Sequence, residues 1–457
     1  MGGIDVNKEK LPDTNPNAGL LSKWGILALG VGGCIGSGVI SLLGYGIGRT
    51  GHSVWLAFAI ALLMGFIICI PVLFVTGSVC LPGGTYSLIT AILGKKAAGV
   101  YIITFFLNLP GIALYGLAMG QYIQSFLPGV SVRLAAIVIF TLFFLYTLIG
   151  IKALDKLQKF TTMLLLAGLA TFILVGLSKA DMSLVNPATN PDFLMKGTKG
   201  LFSAAFLLMY AVSQSGIMFF SRLAKNPKRD IPFAIIGTSI VLTVVYISMS
   251  IASSAVLPIE MTANQPLTYV AKEILPTPVF IFFMIAGPLM ALATSLSASF
   301  MMYAEPIIVA VNDGWLPKKL GTMSKKGTPW VVMLLEYLVI MIPIALGWDL
   351  DMIANSVLLI SAITGILQIV ALSLVPRKYP EAWAKRKWGK KLPTWVFYVS
   401  IVIAICVQCA LAYNSVSSVK PYIVITTVIV LIISVPYSIV MVNKGRIATR
   451  NIDIRDE

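Results

Sequence analysis

Apolar residues in this chain come in long blocks. Stretches of about twenty such residues, the length that carries an α-helix across a bilayer, occur at 22–48, 53–77, 97–126, 132–150, 159–178, 199–221, 232–257, 278–309, 329–347, 353–375, 395–413 and 421–442. The pattern predicts an all-α membrane protein of twelve transmembrane helices joined by short connections. Two blocks are interrupted in their middles. The first contains GVGGCIGSG over 30–38, with five glycines in nine residues, and the sixth contains Ser213, Gln214, Ser215 and Gly216 inside FSAAFLLMYAVSQSGIMFF. A glycine inside a helix costs about 0.8–1 kcal/mol relative to alanine. Backbone groups freed at membrane depth need a partner or a cavity. Two readings follow for 30–38: a break whose backbone holds a polar ligand, or a close helix crossing through small residues. In the first reading the N–H groups of Ser37 and Gly38 open a second half-helix, whose positive end suits a carboxylate. The carbonyls closing the first half suit a cation or an ammonium group.

Interruptions at matching places in two halves of a transporter-like chain mark a midplane binding site in an inverted repeat. The expected organisation is a cytoplasmic segment over 1–21, repeat one over 22–178 (spans one to five) and repeat two over 199–375 (spans six to ten). A basic loop over 376–394, two additional spans within 395–442 and a tail over 443–457 complete it. Five spans per repeat is an odd number, so the second copy enters the membrane from the opposite side. This is a 5+5 inverted repeat with broken helices 1 and 6.

Composition supports the membrane reading, since 58% of the 457 residues are hydrophobic and 11% charged, against about a quarter charged in soluble domains. The formal net charge of +16 would suit nucleic acid, but its distribution excludes that class. With the N-terminus in the cytoplasm, 27 of the 34 basic residues fall on the cytoplasmic side, as the positive-inside rule requires. They lie at Lys8, Lys10 and Lys23, Lys95 and Lys96, Lys152, Lys156 and Lys159, Arg222 to Arg229, Lys318 to Lys326, Arg377 to Lys391, and Lys444 to Arg455. Both termini are then cytoplasmic. The loop 377–394 also suits anionic lipid. The polar first twenty residues lack a cleavable leader pattern. Cys34, Cys69, Cys80, Cys406 and Cys409 read as small hydrophobes with no metal set around them. His52, the single histidine, excludes a histidine relay. No nucleophile–base set, P-loop or His-rich motif points to an enzyme, and the loops have no room for a nucleotide domain.

Several segments together resemble the amino acid–polyamine–organocation transporter superfamily, built on the leucine-transporter fold. They are GVGGCIGSGVI in span one, LPGGTYSL (81–88), AKNPKRDIPFAI (224–235), VNDGWLPKKL after span eight and KKGTPWVV (325–332). They cover spans one to nine in the family's order. The resemblance implies alternating-access transport of an amino acid or amine across the cell membrane, without a prosthetic cofactor. The site it implies is the two breaks. Ser37 and Gly38 hold the carboxylate. Carbonyls near Gly33, Cys34 and Ile35, and near Tyr210 and Ser213, hold the ammonium group. Tyr210 is the nearest match to the family's aromatic gate, although the Asn226–Pro227 register puts Met209 there; packing is the alternative role for Tyr210.

Departures from the family pattern sharpen the reading. The family often has acidic residues before its Asn-Pro and Arg before its Asp-Gly; this chain has Arg222 and Glu305, with both signs reversed. Either they form a swapped ion pair closing the cytoplasmic side, or they are two separate charges snorkelling to water. Gln214 replaces a frequent Trp and suits a more polar or larger substrate. For coupling, an ion site made of Gly32 with Ser295 and Ser299, which share a face at i and i+4, competes with hydroxyls that merely bond back to their own helix. The lysine that some sodium-independent members carry on span five corresponds to Leu165. Sodium, proton and exchange mechanisms all remain open at this stage. Glu336 is an acidic residue at membrane depth, which costs about 2.5–3.5 kcal/mol on insertion scales; it is a protonatable coupling residue or a neutral or interfacial one. No carboxylate lies near either break, which disfavours a polyamine and favours a zwitterion with a neutral side chain. An amino acid/amine exchanger and a non-transporting sensor of the same fold are the alternatives.

Overall fold

The computed structural model describes residues 19–36, 38–148, 151–324 and 327–448. Ser37 and the basic residues Lys8, Lys10, Lys325, Lys326, Arg450 and Arg455 lie outside the described residues. Helices account for most of the described chain. The helices are α1 (Lys23–Cys34), α2 (Leu43–Thr50), α3 (Val54–Thr76), α4 (Thr85–Leu93), α5 (Lys95–Phe105), α6 (Ala113–Phe126), α7 (Val132–Thr147), α8 (Ile151–Lys179), α9 (Gly197–Leu208) and α10 (Pro227–Ser254). They continue with α11 (Ile259–Thr262), α12 (Thr268–Ile274), α13 (Thr277–Met284), α14 (Met290–Asn312), α15 (Trp330–Leu346), α16 (Leu350–Lys378), α17 (Pro380–Ala384), α18 (Thr394–Ser418) and α19 (Pro421–Asn443). Among the described residues, nine helical runs are long and apolar enough to cross a membrane. The first, Lys23–Thr76, extends over 54 residues, while Val132–Tyr146 and Trp330–Leu346 are apolar but shorter. The chain reverses between α2 and α3 at Gly51, whose φ of 71° is open to glycine at no steric cost.

Outward faces of these helices are apolar. Ile240 and Val244 on α10, Leu338 and Ile342 on α15, Val402 on α18 and Ile432 on α19 are all exposed. Such a surface is unsuited to water and suited to lipid tails, which defines a multi-pass membrane protein. Inside, α1 packs against α10, α14 and α8; α3 against α10 and α9; and α16 against α18.

The block 97–126, expected as one helix, is divided by a 3₁₀ segment at Phe106–Ile112. Pro110 lies in that segment; proline has no N–H and its ring opposes regular α-helix. Span eight likewise opens into a π-helical turn at Ile285–Leu289 around Pro288. The basic loop after span ten is folded: it contains α17, and Arg386 donates to the carbonyls of Trp383, Gly389 and Leu392 while lying 4.6 Å from the Trp383 ring.

Both ends of the bundle are laced. At one end Gly19 N–H donates to Arg222 O (3.0 Å), Leu21 N–H to Leu223 O (2.8 Å) and Lys225 N–H to Leu21 O (3.0 Å). At the other, Arg49 at the end of α2 contacts Asp351 Oδ1 on α16 at 2.6 Å and donates to Ser203 O on α9 at 3.0 Å.

Candidate functional site

The glycines of the first span divide into two groups. Gly30, Gly32 and Gly33 are helical, within α1, and are contact points. A Cβ on Gly30 would press on Ile217 and Thr238, and one on Gly33 would meet Ala298. One on Gly32 would meet Gln158, Thr162 and Thr294. The close-crossing reading therefore describes 30–33. The break begins later: Ile35 closes α1 with ψ of 84°, and a π-helical turn resumes at Gly38–Leu42. A side chain on Gly36 would overlap Ser295, so α14 packs directly on the break.

In the sixth span, α9 ends at Leu208, a 3₁₀ turn covers Met209–Ala211, and a second 3₁₀ segment runs over Gln214–Arg222. Val212 and Ser213 are the joint. The two breaks meet, with Cys34 Sγ 3.7 Å from Ser213 Oγ. Tyr246, buried on α10, joins them a second time. Its hydroxyl lies 2.7 Å from Cys34 O and 3.1 Å from Ala211 O, shared between one freed carbonyl from each helix. Tyr122 caps the following turn by donating to Ile40 O at 2.9 Å.

Between the breaks and the facing helices lies a cavity of about 200 Å³. Gly33, Cys34, Tyr210, Ser213 and Ser299 line it, and Met209 does so as well. Tyr210 donates to Gly111 O at 2.8 Å, in the 3₁₀ segment that contains Pro110. Tyr101, Phe105, Phe219 and Tyr303 form an aromatic side, with Phe105 5.4 Å from Tyr303 and 6.1 Å from Phe219. No charged side chain lines the cavity among the described residues.

Other expected site residues sit elsewhere. Gln214 is buried away from the cavity and donates to Ser239 Oγ on α10 at 3.3 Å, so it does not widen the site in place of a ring. Ile35 is fully buried and Gly32 is enclosed by its neighbours. Ser295 crosses to the first break, giving its proton to Gly32 O at 2.7 Å; Thr294 reaches the same carbonyl at 3.2 Å. Ser297 bonds back to Ala293 O within its own helix. Leu165 is buried, and the amide that borders Gly32 from α8 belongs to Gln158.

Arg222 and Glu305 come together, with Arg222 Nη1 3.6 Å from Glu305 Oε2 and each side chain 4% exposed. They are interior groups rather than snorkelling ones. Glu336 is fully buried on α15, outside the cavity lining, and neither carboxylate oxygen has a hydrogen-bond partner among the described residues.

Sequence reading missed Tyr246, the Arg49–Asp351 pair and the part of the cavity lining supplied by α16 and α18. That part includes Ser361, Thr364, Gly365 and Gln368 on α16 and Gln408 on α18. The i, i+3, i+4, i+7 spacing of the four α16 residues was a usable signal.

Interrupted helices meeting over an uncharged cavity inside a lipid-facing helical shell are the architecture of a membrane permease. The chain belongs to the amino acid permease family, whose model matches residues 21–435, and this is a family of transporters rather than enzymes. It is 27% identical over 268 residues to the branched-chain amino acid permease BcaP of Bacillus subtilis, covering 53% of this chain and 56% of that one. It is 21% identical to cationic amino acid transporter 1 of Arabidopsis thaliana, covering 82% and 65%. It is 25% identical to the cadaverine/lysine antiporter of Escherichia coli, covering 69% and 72%. The matched stretch thus spans less than two thirds of the first two relatives.

Proposed function

We propose that this protein is a secondary active transporter of a zwitterionic amino acid with a neutral side chain. The observation that carries this reading is the uncharged cavity at the meeting of the two breaks. A carboxylate takes the N–H groups at Ser37 and Gly38, and an ammonium group takes the carbonyls near Gly33, Cys34 and Ser213, with Tyr210 closing over the ligand. A cationic side chain would find no carboxylate in the lining, which separates this chain from the substrates named for two of its relatives.

The transport cycle is alternating access, a substrate-biased shift between two openings. The folding plan is twelve helices, with 22–178 and 199–375 as inverted repeats and 395–442 as two added spans. The protein lies in the cell membrane with both termini in the cytoplasm. Arg222 with Glu305 is the cytoplasmic gate, and Arg49 with Asp351 is its counterpart at the other end; the contact of each pair, 3.6 Å and 2.6 Å, supports this reading. A sodium ion would need the oxygens of Gly32, Ser295 and Ser299. Ser295 donates to Gly32 O, which brings two of these three oxygens together; sodium symport, proton coupling and exchange are separated by the test below.

The test is uptake of a panel of radiolabelled amino acids into proteoliposomes, with and without a sodium gradient and internal amino acid. Uptake of neutral amino acids that requires internal substrate supports exchange. Uptake that requires sodium transfers the coupling role to Ser295 and Ser299, and Ser299→Ala should then abolish it. Binding without any flux would make the chain a sensor and overturn the transport reading.

A further inference from the structure

The part of the cavity lining supplied by α16 and α18 carries groups that recognition of a bare zwitterion does not use. Ser361, Thr364, Gly365 and Gln368 lie on one face of α16, and α18 adds Gln408 beside them. Two of these residues already have oxygen acceptors. Ser361 Oγ donates to Asn108 Oδ1 at 3.1 Å, and Thr364 Oγ1 donates to Ile360 O at 2.9 Å. The two carboxamides are differently placed. Gln368 Nε2 is 3.4 Å from Met218 Sδ, a weak acceptor. Gln408 is 6% exposed, and its Oε1 has no hydrogen-bond partner among the described residues. Its amide lies on Gly365, at the point on α16 where the absence of a side chain lets it through; a Cβ there would collide with Gln408 Nε2.

An unpaired carboxamide in a buried site is costly, and interiors nearly always satisfy such groups. An unpaired amide oxygen on Gln408, admitted by a glycine, beside a Gln368 amide that donates to sulfur, is matched by a ligand that both donates and accepts. A carboxamide is that ligand. An aliphatic side chain would leave the Gln408 oxygen stranded, and sites of that kind discriminate far more strongly than apolar pockets do.

We propose that Gln408 and Gln368 form a side-chain subsite selecting amino acids that end in a carboxamide, glutamine- or asparagine-like, over aliphatic ones. The proposal rests on the reading of this cavity as an amino acid site. It brings a residue of span eleven, outside the two repeats, into substrate selection.

The test uses the full chain, purified, with glutamine, asparagine, leucine and valine as probes. Binding is read as a ligand-dependent thermal shift and flux as uptake into proteoliposomes. Carboxamides should bind at least about tenfold more tightly than leucine. Gln408→Met, which keeps the length and removes the amide, should erase that ratio, with the carboxamides losing about tenfold relative to leucine. Gly365→Ala, which displaces the same amide from another helix, should do likewise and guards against a folding defect in the first variant. Leucine binding as well as glutamine in the wild type, or both variants weakening all ligands in equal proportion, overturns the subsite. Selective carboxamide binding without flux retains the subsite and overturns transport. Transport of aliphatic amino acids alone does the reverse.

Discussion

Removing the charge of Glu305 by Glu305→Gln tests whether the buried pair with Arg222 holds one end of the molecule shut. Both side chains are 4% exposed and the closest N–O distance is 3.6 Å. At an effective dielectric constant of about 20, that separation corresponds to about 5 kcal/mol of direct attraction. Desolvation of both ions offsets much of this, but removing one member of a buried ion pair costs about 3–5 kcal/mol. If the pair exists only in the state closed at this end, a penalty of about 3 kcal/mol moves the equilibrium toward opening by roughly a hundredfold. Cys34 lines the cavity and serves as the reporter, in a chain whose other four cysteines are replaced. Alkylation of Cys34 by a membrane-impermeant reagent from the cytoplasmic side should accelerate by about that factor in Glu305→Gln and in Arg222→Gln. The reversed pair, Arg222→Glu with Glu305→Arg, should restore slow labelling. Unchanged labelling and unchanged Tm in both single variants, or strictly additive damage in the reversed pair, would refute the gate.

Four further outcomes can be measured separately. Tyr246→Phe removes a hydroxyl shared between Cys34 O and Ala211 O; with buried carbonyls left under-satisfied, about 1–3 kcal/mol of stability should be lost, seen as a lower Tm with intact helix content by circular dichroism. Gly36→Ala should impair folding or transport, because its methyl overlaps Ser295, whereas Gly129→Ala, with open space around it, should change transport little; uptake and expression compare the two. Glu336→Gln keeps the volume of a fully buried side chain and should fold, while Glu336→Lys should not; if uptake driven by a proton gradient survives Glu336→Gln, the residue has no coupling role. Asp181, fully exposed between α8 and α9, accepts from Ser183 Oγ and N–H, which holds its carboxyl below its usual 3.8. That turn is therefore supported above the usual value and loses the contribution as pH falls through the lowered one; the protection factor of the Ser183 amide, its exchange relative to the intrinsic rate at the same pH, should fall in acid, and Asp181→Asn should remove that pH dependence.

The helical membrane class was legible because apolar blocks of bilayer length are a constraint no soluble fold imposes. The breaks were legible in part. Glycine density marked the region 30–38, but density alone does not separate Gly30, Gly32 and Gly33, which serve helix contacts, from Gly36, where the helix ends. Arg222 and Glu305 stood out because both signs were reversed relative to the family pattern, a comparison that pairs distant positions. Tyr246, Arg49 with Asp351, and Gln408 gave no such signal. Each acts across more than a hundred residues or from a helix outside the repeats, and partner identity at that range is set by packing. Pro110 was visible in the sequence, yet proline is common enough in membrane helices that only the carbonyl of Gly111, taken by Tyr210, reveals its use.

The three backbone hydrogen bonds that tie residues 19–21 to 222–225 have a mechanical meaning. They splice the entry of the first interrupted helix to the exit of the second, while Tyr246 stitches the same two helices at their midpoints. Two half-pieces fastened at two levels behave as a single lever. Whatever opens this end cannot peel one helix away by itself; it must swing the spliced pair as a unit or tear the splice first. A proline at Leu21, which would cost the bond to Leu223 and leave the side-chain chemistry of the cavity untouched, should therefore uncouple the two helices and turn a concerted opening into a leak.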